Sequence, residues 1–95
     1  MSVEDVLQAI KPSIGSDEVF EDLQSASRTQ NDQEPGRDPN DVVQSANRDL
    51  FARDRISNDQ FSRIELAVSV ARISGNNAAL IQAVVTQATV HSVTQ

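Results

Sequence analysis

The sequence predicts an all-α fold: a short N-terminal helical hairpin, a polar linker, and two to three C-terminal helices. Two observations carry this expectation. Apolar residues recur every three or four positions along most of the chain, the spacing of one helical face. Ser2, Ser16, Asp38 and Ser57 stand where helix-start residues belong, and Gly15, Pro35-Gly36 and Gly75 interrupt the pattern.

The first helix is written by Val3, Val6, Leu7, Ile10 and Ile14. Ser2 precedes it as N-cap, and Glu4 and Asp5 sit in the first turn, where carboxylates complement the helix dipole. Pro12 and Gly15 limit it to about three turns. Ser16 then opens a second helix whose apolar face is Val19, Phe20, Leu23 and Ala26. The two helices form the hairpin of an acidic N-terminal segment, residues 1–27.

No Ala, Val, Ile, Leu, Met or Phe occurs from Ser27 to Asp41, and the stretch contains Pro35-Gly36. Residues 28–38 are therefore expected to be a flexible polar linker. Residues 39–95 form the helical C-terminal segment. Asp38 caps its first helix with Pro39 at the first helical position, where the missing N–H costs nothing. Val43, Ala46 and Leu50 continue the stripe to about Arg53 or Arg55.

Ser57 and Gln60 have the spacing of a capping box, with Ile56 and Phe61 at the staple positions around them. A helix over residues 58–74 closed by Gly75 follows. Its apolar residues fall into two groups: Phe61, Ile64, Ala67, Val68 and Ala71 on one side, and Leu66, Val70 and Ile73 roughly opposite. A helix at the surface of a monomer needs one apolar stripe. Two stripes mean a central helix or a helix that also meets a second molecule. The last helix starts at Asn76 or Asn77 and carries Leu80, Ile81, Val84, Val85 and Ala88. Val90 and Val93 depart from this stripe, and their β-branched side chains also suit a strand; helix, fraying toward Gln95, is preferred. Leu66, Val70, Ile73, Ile81, Val84 and Ala88 are the candidate protein-interface residues.

Composition narrows the function classes. Leu, Ile, Val and Phe account for 25 of 95 residues, enough for an ordered core. The three Phe residues are the only aromatics, so few rigid side chains are available to wall a deep pocket. With no cysteine, disulfides and thiolate metal sites are excluded. Residues 1–36 hold eight acids against Lys11 and Arg28, whereas residues 37–95 hold six acids and six arginines. An acidic half with no basic stripe repels phosphate, so direct nucleic-acid binding is not expected. The last 23 residues, after Arg72, carry no formal charge. The acidic start lacks a secretory leader pattern, and Phe61–Ile73 is too short to span a bilayer. The expectation is synthesis in the cytoplasm without a cleavable signal.

Candidate chemistry is sparse. His91, the one histidine, lies among Val, Thr and Ser without an orienting acid or fellow ligands, and reads as a structural or exposed residue. The pairs Glu4/Asp5, Asp17/Glu18 and Glu21/Asp22 suit helix starts and solvated faces, and Asp32 to Asp38 lacks the alternation of a calcium loop. The glycines are isolated, so no phosphate-cradling loop exists, and no serine occupies a nucleophile elbow. Arg48, Arg53, Arg55, Arg63 and Arg72 are expected to pair with Asp49, Asp54, Asp59 and Glu65, with Asp59–Arg63 in the favourable order. No catalytic, cofactor or metal site is predicted.

The run Ile64-Glu65-Leu66-Ala67-Val68-Ser69-Val70-Ala71-Arg72-Ile73-Ser74-Gly75, followed by an uncharged polar helix, resembles the C-terminal end of type III secretion inner-rod subunits. Needle and flagellar proximal-rod subunits show a related layout. The resemblance implies a short chain whose helical C-terminal part packs into a helical tube. The expected function is a non-enzymatic structural subunit, of a secretion rod or a minor virion component, whose partners are copies of itself or other assembly subunits. The alternative is a monomeric adaptor or chaperone-like regulator that binds a basic partner through its acidic N-terminal helices.

Overall fold

Each helix start is set by a side chain within its own first turn. In the computed structural model, which describes the backbone of residues 1–94 and the side chains of residues 1–89, Ser2 closes a full capping box with Asp5. Helix α1 (Val3–Ile14) follows; Pro12 lies inside its last turn, and the left-handed Gly15 ends it. Ser16 caps α2 (Asp17–Gln33) by accepting from the Val19 N–H. Asp38 accepts from the Asn40 N–H to open α3 (Pro39–Ala52). Ser57 accepts from the Gln60 N–H to open α4 (Asn58–Ser74), and Gly75 closes it in the left-handed region. Only the serine half of the expected box forms at α4. Asn77 accepts from the Leu80 N–H and so opens α5 (Ala78–Thr94), which remains helical through Val90 and Val93. The described residues contain no strand.

The polar stretch departs from expectation. α2 continues to Gln33, so the region expected to be a linker over residues 28–38 is non-helical only from Glu34 to Asp38. Nothing between Ala26 and Pro35 forbids a helix. Packing sustains it, because α2 lies along α3 and buries Ser27 completely.

The hub is α1. It touches all four other helices and buries a wide face, from Ala9 and Ser13 across Val3, Val6 and Ile10 to Leu7 and Ile14. The acidic N-terminal segment therefore does not stand apart as a hairpin. α4, expected either to be central or to meet a second molecule as well, packs on α1, α3 and α5. Both its apolar groups meet the chain's own core: Ile64, Ala67, Val68, Val70 and Ala71 are buried, and Phe61 and Leu66 are half-buried against it. Phe51 and Phe61 stack with ring centroids 4.4 Å apart, joining the end of α3 to the start of α4. Lys11 lies 5.0 Å over the Phe20 ring and ties α1 to α2.

Candidate functional site

The six interface candidates separate once the helices pack. Val70 and Ile81 are closed inside the chain's own core and present no surface. Leu66 and Val84 are half-buried beside them. Only Ile73 and Ala88 are open. Val70 and Ile73 are only about 60° apart around α4, but Ile73 stands in its last turn, next to the Gly75 cap, where the packed neighbours no longer cover it.

Ile73 is 83% exposed, and two further large apolar side chains are exposed at the same end of the molecule. The Asn76 amide contacts the Met1 thioether, which brings the N-terminus to the α4–α5 turn, and Leu80 stands in the first turn of α5. Met1 is 74% and Leu80 46% exposed. The turn is tightly built. Gly75 and Asn76 are both left-handed, at φ 65 and 62, and their N–H groups return to the Ala71 carbonyl. Along α5 the exposed side chains Ala79, Gln82, Ala83, Thr86 and Gln87 are small or polar, and none is charged.

Charge is arranged elsewhere. Arg28 of α2 grips Glu4 of α1 at 2.7 Å, and Arg72 of α4 grips Asp41 of α3 at 2.7 Å. Arg53 pairs with Asp49 at 3.3 Å and Arg48 with Glu65 at 3.6 Å. The pairs expected of Asp54 and Asp59 do not form among the described residues. The Arg28 hydrogen bond holds the Glu4 carboxyl below its ordinary range, with Gln24 adding to the effect. The Ser2 backbone N–H does the same for Asp5. A polar groove of about 450 Å³ runs between α2 and α3. It sets Arg37, Arg53 and Arg55 against Asp22, Glu34 and Asp49, so the lining carries no net charge.

Four buried polar residues escape a sequence reading, among them Asn40 in the first turn of α3. Asn47 is fully enclosed on α3 and donates through Nδ2 to the Phe61 carbonyl at 3.1 Å and to Glu65 at 3.3 Å. Its place four residues after Val43 on the apolar stripe is the available signal. Ser27 follows Leu23 in the same way, and Ser13 lies between Ile10 and Ile14. No group of three His, Cys, Asp or Glu side chains that could hold a metal occurs among the described residues. The side chain of His91 lies outside them. None of the described helices is long and apolar enough to cross a membrane.

No protein-family model, curated protein or solved structure matches the chain.

Proposed function

We propose that this chain is a non-enzymatic structural subunit that joins a larger protein assembly through helix–helix contacts at its α4–α5 end. The exposure of Ile73 carries the reading. Burying an isoleucine side chain contributes about 1.5–3 kcal/mol, and this fold leaves that contribution unused. Met1 and Leu80 enlarge the apolar surface at the same end. The exposed side of α5 has no charge to desolvate, which suits a surface closed by another protein. The partner is another copy of the chain or a different subunit. The finer assignment, a secretion-apparatus rod or a minor virion component, draws its support from the resemblance of residues 64–75 and from the charge-free segment after Arg72.

Sedimentation velocity tests it, on the pure protein and on the protein mixed with lysate from its source. The wild type is expected in a species larger than the monomer. Ile73→Asp is expected to sediment as a monomer with its thermal midpoint unchanged. Wild type and variant running alike as monomers in both samples would sink the proposal.

A second reading draws on other observations. Val70 and Ile81 are closed within the chain, so the core is complete without a neighbour. Asp17, Glu18 and Glu21 on α2 are exposed and make no ion pair among the described residues. These favour a monomeric adaptor that binds a basic partner. Salt-sensitive capture of a lysine-rich peptide, lost in Glu18→Lys/Glu21→Lys, would support it.

A further inference from the structure

α4 and α5 carry one apolar stripe that the turn between them divides. Leu66, Val70, Ile73, Asn77, Leu80 and Val84 follow one another at steps of four, three, four, three and four. On a single straight helix that spacing makes one continuous seam, with Asn77 as its only polar member. The seam is also symmetric about Gly75: Leu66 mirrors Val84, Val70 mirrors Leu80, and Ile73 mirrors Asn77. In the closed fold its outer members are covered and its middle is not. Leu66, Val70 and Val84 pack into the core, whereas Ile73, Asn77 and Leu80 beside the turn are exposed.

The hinge that divides the seam is short, Gly75 to Asn77. Gly75 and Asn76 both stand in the left-handed region, which Asn76 holds at a steric cost that glycine escapes. Beyond the hinge, α5 is held by apolar contact alone. No hydrogen bond or ion pair joins it to another helix among the described residues. By contrast, Arg28 and Glu4 tie α2 to α1, and Arg72 with Asp41 and Asn47 with Glu65 tie α4 to α3. Ile81 and Val85 are the described α5 side chains closed in the core. Clefts of about 300 and 190 Å³ open on either side of the helix, toward α4 and toward α1.

We propose that two copies of the chain exchange α5. The hinge straightens, α4 and α5 become one helix, and α5 leaves its own α1 and α4 to lie in the same place on a second copy. This rests on the reading of the α4–α5 end as an assembly contact, and names the partner. The occupant is a second copy because the vacated groove is already shaped to α5, so the closed contacts are remade between chains. A short hinge under strain favours such exchange. The symmetric seam has the antiparallel order that exchange needs. The two straightened helices cross at Gly75, Leu66 meets the partner's Val84, and Val70 meets the partner's Leu80. Ile73 and Leu80, which the turn leaves in water, thereby enter the seam. No formal charge follows Arg72, so the exchanged helix brings no like charge against an acidic chain. Gly75 opposes the change, because glycine weakens a straight helix, and so favours the closed monomer.

The chain has no cysteine, so two introduced thiols report alone. In Ser62→Cys/Thr89→Cys they replace exposed residues that line the cleft between α4 and α5. The protein is held at millimolar concentration, its dimer fraction is isolated, and a short bis-maleimide is added. Exchange links position 62 of one chain to position 89 of the other, and a denaturing gel shows twice the chain mass. A dimer whose 62–89 link stays within one chain overturns the exchange and leaves the assembly reading standing. Absence of a dimer overturns the exchange too; the assembly reading falls with it only if lysate also yields no larger species. Gly75→Ala is the second test and needs no thiol. It burdens the left-handed turn and strengthens the straight helix, so sedimentation should show the dimer association constant raised at least tenfold over wild type. An unchanged or lowered constant would overturn the proposal, and this comparison decides alone if the double cysteine variant does not fold.

Discussion

Val70 and Ile73 belong to one apolar group in the sequence, yet in the fold one is 6% exposed and the other 83%. Shortening each to alanine separates them. Val70→Ala removes two methyl groups from a closed core, at about 0.8 kcal/mol per group, with a further cavity cost that brings the loss to about 2 kcal/mol. A domain of this size loses roughly 4–8 °C of thermal midpoint per kcal/mol, so the Tm should fall by about 8–16 °C. Ile73→Ala removes atoms already in water and should stay within about 0.5 kcal/mol of wild type, a shift of at most about 4 °C. Val70→Asp would add an unpaired buried carboxylate costing several kcal/mol more, out of a total of about 5–14 kcal/mol for 95 residues, and should leave the chain largely unfolded. Thermal melts followed by circular dichroism measure all three. Equal losses for the two alanine variants would mean that α4 is rotated about its axis from the position described, and the argument for Ile73 as a contact residue would fall with it.

Limited trypsin digestion should cut after Arg37, Arg53 or Arg55, which lie outside the helices, before it cuts after Arg28, which lies within α2; early cleavage at Arg28 would refute the helix through Gln33. Gly75→Ala must hold a side chain at φ +65 and should cost about 1–2 kcal/mol in a chemical denaturation curve, although the space around it is open. Ser57→Ala removes the N-cap of α4 and should cost about 1 kcal/mol in the same assay. The folded-state pKa values of Glu4 and Asp5 are depressed, so their stabilisation is present above the ordinary carboxylate values of about 3.9–4.3. It is lost as the pH falls through the lowered folded values. Stability should therefore decline below about pH 4, and Glu4→Gln should flatten part of that decline, by no more than about 1 kcal/mol because Glu4 and Arg28 are both largely in water.

Helix existence was readable wherever the deciding contacts were local. Ser2, Ser16, Asp38 and Ser57 each satisfy an N–H two or three residues ahead, and Gly15 and Gly75 supply left-handed turns at the opposite ends. Such bonds lie within one turn of the chain, so residue type and spacing declare them. The end of α2 was not readable in this way. Residues 28–33 are polar, and what holds them helical is α3 lying alongside. The role of α1 as hub escaped for the same reason: its apolar residues announce a buried helix, but not the four neighbours that bury it.

The candidate site divides along the same line. By itself the sequence determined an acidic, cysteine-free chain with five helix-forming stretches and a charge-free last segment, because charge and hydrogen-bonding capacity belong to each residue wherever it lies. Tertiary structure alone decided that Val70 and Ile81 close against the chain's own core while Ile73 stays in water. It also set the Arg63 guanidinium against Gly15 at the end of α1, with no ion pair to Asp59 among the described residues. Burial and pairing depend on which distant residues arrive opposite a given face, and a helical period names the face without naming what will cover it.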